Sequence, residues 1–340
     1  MTVPDAIADV ALPEQQVGVV GHHAARASIN AQLAAGRLPG AILLHGPQGI
    51  GKATLAFTLT REILTATGDE DAHRVDEQIA AGAHPNVQVL RRRPREGRGF
   101  YTVIRVEDVR ELREELHMTR GRSGHRIAIV DAIDDCNPSA ANALLKTLEE
   151  PPPETTFLLV SHRPRQLLPT IRSRCHNLAL RPLADAEVSA VLQAQRPDIE
   201  PDELAQAVSL AGGRPRRAFE ALGLGADSPL GALQAWLRAP AAHPAAAHLA
   251  LADALAADRD SPDLSFAREI LTDWVAGEAR SAAVQTDRMR LASANELWEK
   301  ADALFAETDA LNLDMRQTLV TFLDAIRKHV HATSSPATQQ

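Results

Sequence analysis

Residues 45–54 read HGPQGIGKAT. Gly46, Gly49 and Gly51 lead to Lys52 in the spacing G-x-x-x-x-G-K, that of a loop whose backbone N–H groups close around phosphate oxygens. The apolar run AILL at 41–44 predicts a buried parallel strand, and ATLAFTLTREIL after the loop has the periodicity of a helix packed on it. The glycines therefore fall at a strand-to-helix turn, where the helix N-terminus adds its positive dipole end. In such loops the residue after the lysine, Ser or Thr, gives its hydroxyl to magnesium. Here position 53 is Ala, and Thr54 follows one place late, about 100° further round the helix.

Working outward, residues 1–180 alternate apolar runs with helical patterns, the signature of a parallel sheet covered by helices. The predicted strands are 41–45, 86–90, 126–131, 155–161 and 175–180; helices are predicted near 22–35, 52–66, 106–118 and 138–149, with a short one within 68–86. From 181 to 225 three short helices with Asp or Pro starts and a Gly stop predict a small helical domain. Residues 226–332 are Ala- and Leu-rich with helical periodicity throughout, a second helical domain in which Trp236, Trp274 and Trp298 are expected in the core. The tail at 333–340 is expected to be disordered.

The chain has 340 residues, enough for two or three domains. With 36 Lys+Arg against 44 Asp+Glu it lacks the overall basic footprint of a protein that grips nucleic acid alone. Cys136 and Cys175 are its only cysteines, which excludes a four-cysteine zinc site and a disulfide framework. No signal-like segment opens the chain and no run approaches the ~20 apolar residues of a membrane span, so a soluble cytoplasmic protein is expected. The basic runs RRRPREGR (91–98) and RGRSGHR (120–126) suit either local phosphate contact or a solvated turn. Neither interleaves aromatics for base stacking.

The stretch NALLKTLEEPPPETTFLLVSHRPRQLLPTIRSRC (142–175) resembles the block shared by subunits of bacterial AAA+ clamp loaders, and VVGHHAARASINAQLAAGRLPGAILLHGPQGIGKATLA (19–56) is similar to that family's N-terminal region. The resemblance implies an α/β AAA+ P-loop module, a helical lid and an all-helical collar that associates subunits. It implies that Arg174, between Ser173 and Cys175, is an arginine finger reaching into a neighbour's ATP site. It places Arg216, in GGRPRRAFEAL (212–222), at the sensor-2 arginine, and Ser161 near the sensor-1 position. Asp131 would be the magnesium-binding acid, but Ala132 stands where an AAA+ ATPase carries its catalytic Glu. On residues alone, the lesser alternative is that Asp131 caps the turn after a core strand.

The nucleotide set implied is thus Gly46, Gly49, Gly51, Lys52, Thr54, Asp131, Ser161 and Arg216, binding ATP or ADP with Mg2+ and hydrolysing weakly or not at all, given the ~10²–10⁴ that a general base contributes. Many members of the family carry a four-cysteine zinc module after the P-loop helix; residues 67–90 hold no cysteine, so zinc is not expected. His73, His84 and the HVH run at 329–331 are expected on the surface. The partners implied are tau/gamma and delta subunits, the beta sliding clamp and, through the complex, primed DNA, in a bacterial, nucleoid-associated cytoplasmic setting. Two alternatives stand beside this reading: a competent motor subunit of the same loader, and an AAA+ remodeller acting in DNA repair.

Overall fold

A computed structural model describes residues 3–334, apart from 69–70, 97–98, 119–122, 223–227, 245, 258–261 and 312. The ends of both basic runs, the expected boundary at 225 and most of the tail lie outside the described residues. The chain divides into two compact units, Met1–Leu222 and Gly223–Gln340.

The first unit is built on five parallel strands: β1 (Ala41–His45), β2 (Val87–Leu90), β3 (Arg126–Asp131), β4 (Thr155–Ser161) and β5 (His176–Ala179). They lie in the order β2-β3-β4-β1-β5. Successive strand residues point to opposite faces, and the burial follows that alternation. Leu43, Ala128, Val130, Phe157 and Leu159 enter one core with α4 (Val106–His117) and α5 (Pro138–Glu149). Ile42, Leu44, Ile127, Ile129, Leu158 and Val160 enter the other, with α1 (His23–Ala34), α2 (Lys52–Thr67) and α3 (Ala72–Ala80). Because both faces are covered, the strands read as continuous apolar runs. The register Leu44↔Val160 and Leu44↔Leu178 sets β1 between β4 and β5. The chain leaves β1 toward one edge of the sheet and returns to the other, so the crevice at the C-terminal ends of β1, β3 and β4 is where such sheets bind ligands.

Local sequence explains where the helices start and stop. Asn137 accepts a hydrogen bond from Ala140 N with Pro138 in the first turn of α5, and Asp71 caps α3. A one-turn helix, α6 (Pro169–Arg172), precedes β5. Beyond β5, α7 (Asp185–Gln195), α8 (Pro201–Ala211) and α9 (Pro215–Ala221) form the small helical part, α8 ending on Gly212 in the left-handed conformation.

The second unit is helical throughout its described residues: α10 (Pro229–Arg238), α11 (Ala247–Leu255), α12 (Pro262–Val284), α13 (Arg288–Leu311) and α14 (Met315–Ser334). Phe305 and Phe322 meet edge to face, with ring centroids 5.5 Å apart. Trp236 is buried and Trp274 donates its indole N–H to Leu237 O. Trp298, expected in the core, is 43% exposed instead, at the margin of the buried stripe that Ala294, Leu297, Ala301 and Phe305 form on α13.

The histidines depart from expectation as well. His84 is buried and accepts from Asn86 N through Nδ1; burial pushes its pKa down. His329 is buried, with Nδ1 2.8 Å from Ser293 Oγ, Nε2 3.6 Å from Glu278 and its ring edge-on to Trp274. Each is an interior histidine held through Nδ1, while Nε2 of His329 has no hydrogen-bond partner among the described residues; spacing along the chain could not reveal either. His73 is exposed, as expected, beside Glu77.

Candidate functional site

A cavity of about 680 Å³ opens at the C-terminal ends of β1 and β3. The P-loop residues Gly49, Gly51, Lys52, Ala53 and Thr54 line it, together with Asp131, Arg216, Arg91, Asp134 and His162; residues 3–20 supply much of its apolar wall, with Leu183, Val191 and Phe219.

The loop is shaped as its glycines require. Gly46, Gly49 and Gly51 have φ of 156°, 82° and 93°, conformations that side chains disfavour. A Cβ on Gly46 would lie 2.4 Å from Leu180 O, and one on Gly49 2.8 Å from Arg216 Cβ. Gly49 also accepts a backbone hydrogen bond from Arg216 N at 3.2 Å. The loop and the start of α9 therefore touch directly, an approach that only glycine allows.

Lys52 is buried and its ammonium turns back on the loop, donating to Gly46 O at 2.8 Å and to Pro47 O. Burial, joined by the nearby Arg214 charge, brings its pKa down to about 7, against the pull of Asp134 and Asp131. Arg216 donates to Asp5 O and pairs with Glu220 at 2.8 Å. Thr54 is buried in the first turn of α2.

Asp131 ends β3 as expected, but its partner is a cation of the chain. Arg91 Nε donates to Asp131 Oδ2 at 3.1 Å, while its two terminal nitrogens hold both carboxylate oxygens of Glu14 at 2.9 and 3.1 Å. Burial pushes the Asp131 carboxyl up and Arg91 draws it back. Arg92 pairs with Asp5 and Asp135, and Arg93 with Asp108 and Glu111. The first three arginines of the 91–98 run are thus bound to carboxylates of the same unit. Arg91 and Arg92 line the cavity whereas Arg93 is half exposed, and the acids that hold them come from residues remote in sequence. With Ala53 lacking a hydroxyl, Ala132 lacking a carboxylate and Asp131 engaged by Arg91, the residues present do not make a magnesium site.

Ser161 is fully buried and outside the cavity lining; its Oγ donates to Asp134 Oδ1 at 2.9 Å. The same carboxylate accepts from His162 N at 2.5 Å and Arg163 N at 3.1 Å, fixing the loop after β4. His162 is held neutral, its pKa lowered to about 4 by burial and by the Lys52 charge. Asp134 and Glu14 are the residues of the site that sequence reasoning passed over, and Arg91 was read only as part of a basic run. The acidic run DAIDD hinted at Asp134, and nothing local marks Glu14.

Arg174 stands apart. It does not line the cavity; it follows α6, is 37% exposed, and meets Glu149 at 2.7 Å and Thr170 O at 3.0 Å.

Strand order and loop define an α/β module with a P-loop at the C-terminal end of β1. Residues 21–184 match the family described as DNA polymerase III, delta subunit. DNA polymerase III subunit delta' of Pseudomonas aeruginosa is 38% identical over 190 residues, covering 54% of this chain and 56% of that one. The delta' subunit of Escherichia coli is 33% identical over 189 residues, covering 54% and 55%. The gamma/tau subunit of Mycobacterium bovis is 33% identical over 184 residues, covering 53% of this chain and 31% of its own. The chain spans about half the length of the curated delta' relatives it matches. A solved structure of the Thermotoga maritima RuvB Holliday junction branch migration motor has a TM-score of 0.42 at 18% identity, covering 67% of this chain and 66% of that one. Among the described residues no helix is long and apolar enough to cross a membrane.

Proposed function

We propose that the chain is a delta'-type subunit of a bacterial clamp loader, which helps to place the sliding clamp on primed DNA while hydrolysing little or no ATP itself. The observation that carries this reading is the pairing of the likeness to delta' relatives, and of the family match over residues 21–184, with Ala at 53 after the P-loop lysine and Ala at 132 after Asp131. The loop glycines, Lys52 and Arg216 would hold a nucleotide phosphate, and the wall formed by residues 3–20, Leu183, Val191 and Phe219 would take the base. At the position of the catalytic carboxylate Ala132 has no base to offer, and Asp134 spends its oxygens on the loop after β4.

In this reading Arg174 acts on another subunit's nucleotide. Its exposure and its distance from the chain's own lining support a role in trans, with Glu149 holding the guanidinium until a neighbour's phosphates compete for it. Residues 181–225 would be the lid and 226–332 the collar through which tau/gamma and delta subunits associate. The second reading, a motor subunit, draws on the gamma/tau likeness, and Ala53 and Ala132 speak against it.

Reconstitution decides between them. Mixing the chain with tau/gamma and delta subunits and measuring clamp loading on primed DNA is expected to show loading that requires this chain, while the chain alone has no ATPase above background. Steady turnover by the isolated chain, abolished by Lys52→Ala, would instead establish a motor.

A further inference from the structure

In P-loop proteins a divalent cation sits between the hydroxyl that follows the loop lysine and the acid at the end of the neighbouring strand. Both places are altered here in a way that fits a single substitution of charge. Position 53 carries no hydroxyl, and at Asp131 the cation is the guanidinium of Arg91, 3.1 Å from Oδ2. Arg91 is not a passing surface contact. Its side chain is only 11% exposed, Glu14 grips it from the far side with two hydrogen bonds, and its Cζ lies 5.5 Å from the centre of the Phe57 ring. A metal ion arriving at Asp131 would meet a positive charge already hydrogen-bonded to its Oδ2. Arg91, Arg92, Lys52, Arg163 and Arg216 all line the same cavity, so the positive charge that a phosphate chain requires is supplied by side chains.

We propose that Arg91 stands in for the divalent cation, so that this site excludes metal and takes a nucleoside di- or triphosphate in metal-free form. The second half rests on the nucleotide reading above; the exclusion of metal does not. The fold explains why the exchange is available: β2 runs beside β3 with Leu90↔Val130 in register, which delivers the residue after β2 to the end of β3.

Two measurements on the full chain separate the parts. Mn2+ titration followed by electron paramagnetic resonance is expected to give the same bound fraction for the unaltered chain and for Asp131→Asn. Arg91→Gln is expected to gain one Mn2+ site at least tenfold tighter than any in the unaltered chain, and Arg91→Gln with Asp131→Asn to lose it. If Arg91→Gln melts too low to titrate, Arg91→Gln with Glu14→Gln, which removes the guanidinium together with the acid it would leave unpaired, is read by the same criterion. A Mn2+ site in the unaltered chain that Asp131→Asn removes overturns the proposal, as does a failure of the variant without the guanidinium to gain one. ADP and ATPγS binding by calorimetry, in EDTA and then in Mg2+, is expected to agree within twofold; a tenfold gain on adding Mg2+ overturns metal-free binding. No heat in either buffer contradicts the nucleotide reading and with it metal-free binding, and leaves the exclusion of metal to the Mn2+ result.

Discussion

At the scale of single residues, Lys52 makes a pH prediction with a defined sign. Burial has brought its pKa down to about 7 from the usual lysine value. The folded protein therefore holds this proton less firmly than the unfolded chain does. Between about pH 7 and the unfolded value the unfolded state binds more protons, so this residue destabilises the fold there, a penalty that fades as pH rises. An anionic phosphate favours the charged ammonium and must draw a proton in. Nucleotide affinity is expected to fall as pH rises from 7 to 9, approaching tenfold per unit, with proton uptake visible in calorimetry across buffers of different ionisation enthalpy. Lys52→Ala removes the dependence. A flat profile between pH 7 and 9 would show that Lys52 is already fully charged.

Residue identity alone made the loop legible, because a glycine spacing ending in lysine after an apolar strand has few other uses. The occupant of Asp131 was not legible. Arg91 lies 40 positions from Asp131 and Glu14 a further 77 from Arg91, and a run of arginines shows its charge but not its partners. His84 and His329 failed for the same reason: whether a histidine is interior depends on what packs over it.

At the scale of elements, the contact between the P-loop and α9 is the feature most open to test. Gly49→Ala asks for a Cβ 2.8 Å from Arg216 Cβ at a φ of 82°, so α9 must retreat or the loop must change shape. A destabilisation of about 1–3 kcal/mol in denaturant unfolding is expected, together with weaker nucleotide binding than the stability loss alone would give. The loop after β4 depends in the same way on Asp134. Asp134→Ala strips three hydrogen bonds from a charged acceptor and is expected to cost about 2–3 kcal/mol, whereas Asp134→Asn retains an oxygen and costs less. Equal stability of the two variants and the parent would show that this loop is held by other contacts.

The elements themselves were well marked in the sequence. Three of the five strands, β1, β3 and β4, have the limits that their apolar runs suggest, and α5 begins at the Asn-Pro cap. The less regular pieces were not, α6 among them, since a single turn has no periodicity to read. Trp298 shows the complementary limit. An Ala-rich helix keeps its period on every face, so the face that turns outward is chosen by packing and not by pattern.

At the scale of the whole molecule, the two units are expected to separate in function. Residues 1–222 carry the cavity, Arg174 and the whole family match; residues 223–340 carry none of these and are proposed to serve assembly. A chain ending at residue 222 is expected to keep nucleotide binding but to lose co-purification with tau/gamma and delta subunits. Phe322→Ala, which empties a fully buried position in the second unit, is expected to cost that unit about 3–5 kcal/mol and to weaken assembly with it. Assembly untouched by either change would move the interface to the first unit.

The central claim is that this chain contributes to hydrolysis in another subunit's site and not in its own. The most direct measurement is the steady-state ATPase of the reconstituted loader, with clamp and primed DNA present, comparing Arg174→Ala with Lys52→Ala. Removing an arginine that stabilises the transferring phosphoryl group slows the site it serves by about 10³-fold or more, so Arg174→Ala is expected to lower the total rate severalfold with assembly intact, while Lys52→Ala leaves the rate within twofold. The reverse pattern, a rate lost with Lys52→Ala and kept with Arg174→Ala, would contradict the account and make this chain a motor.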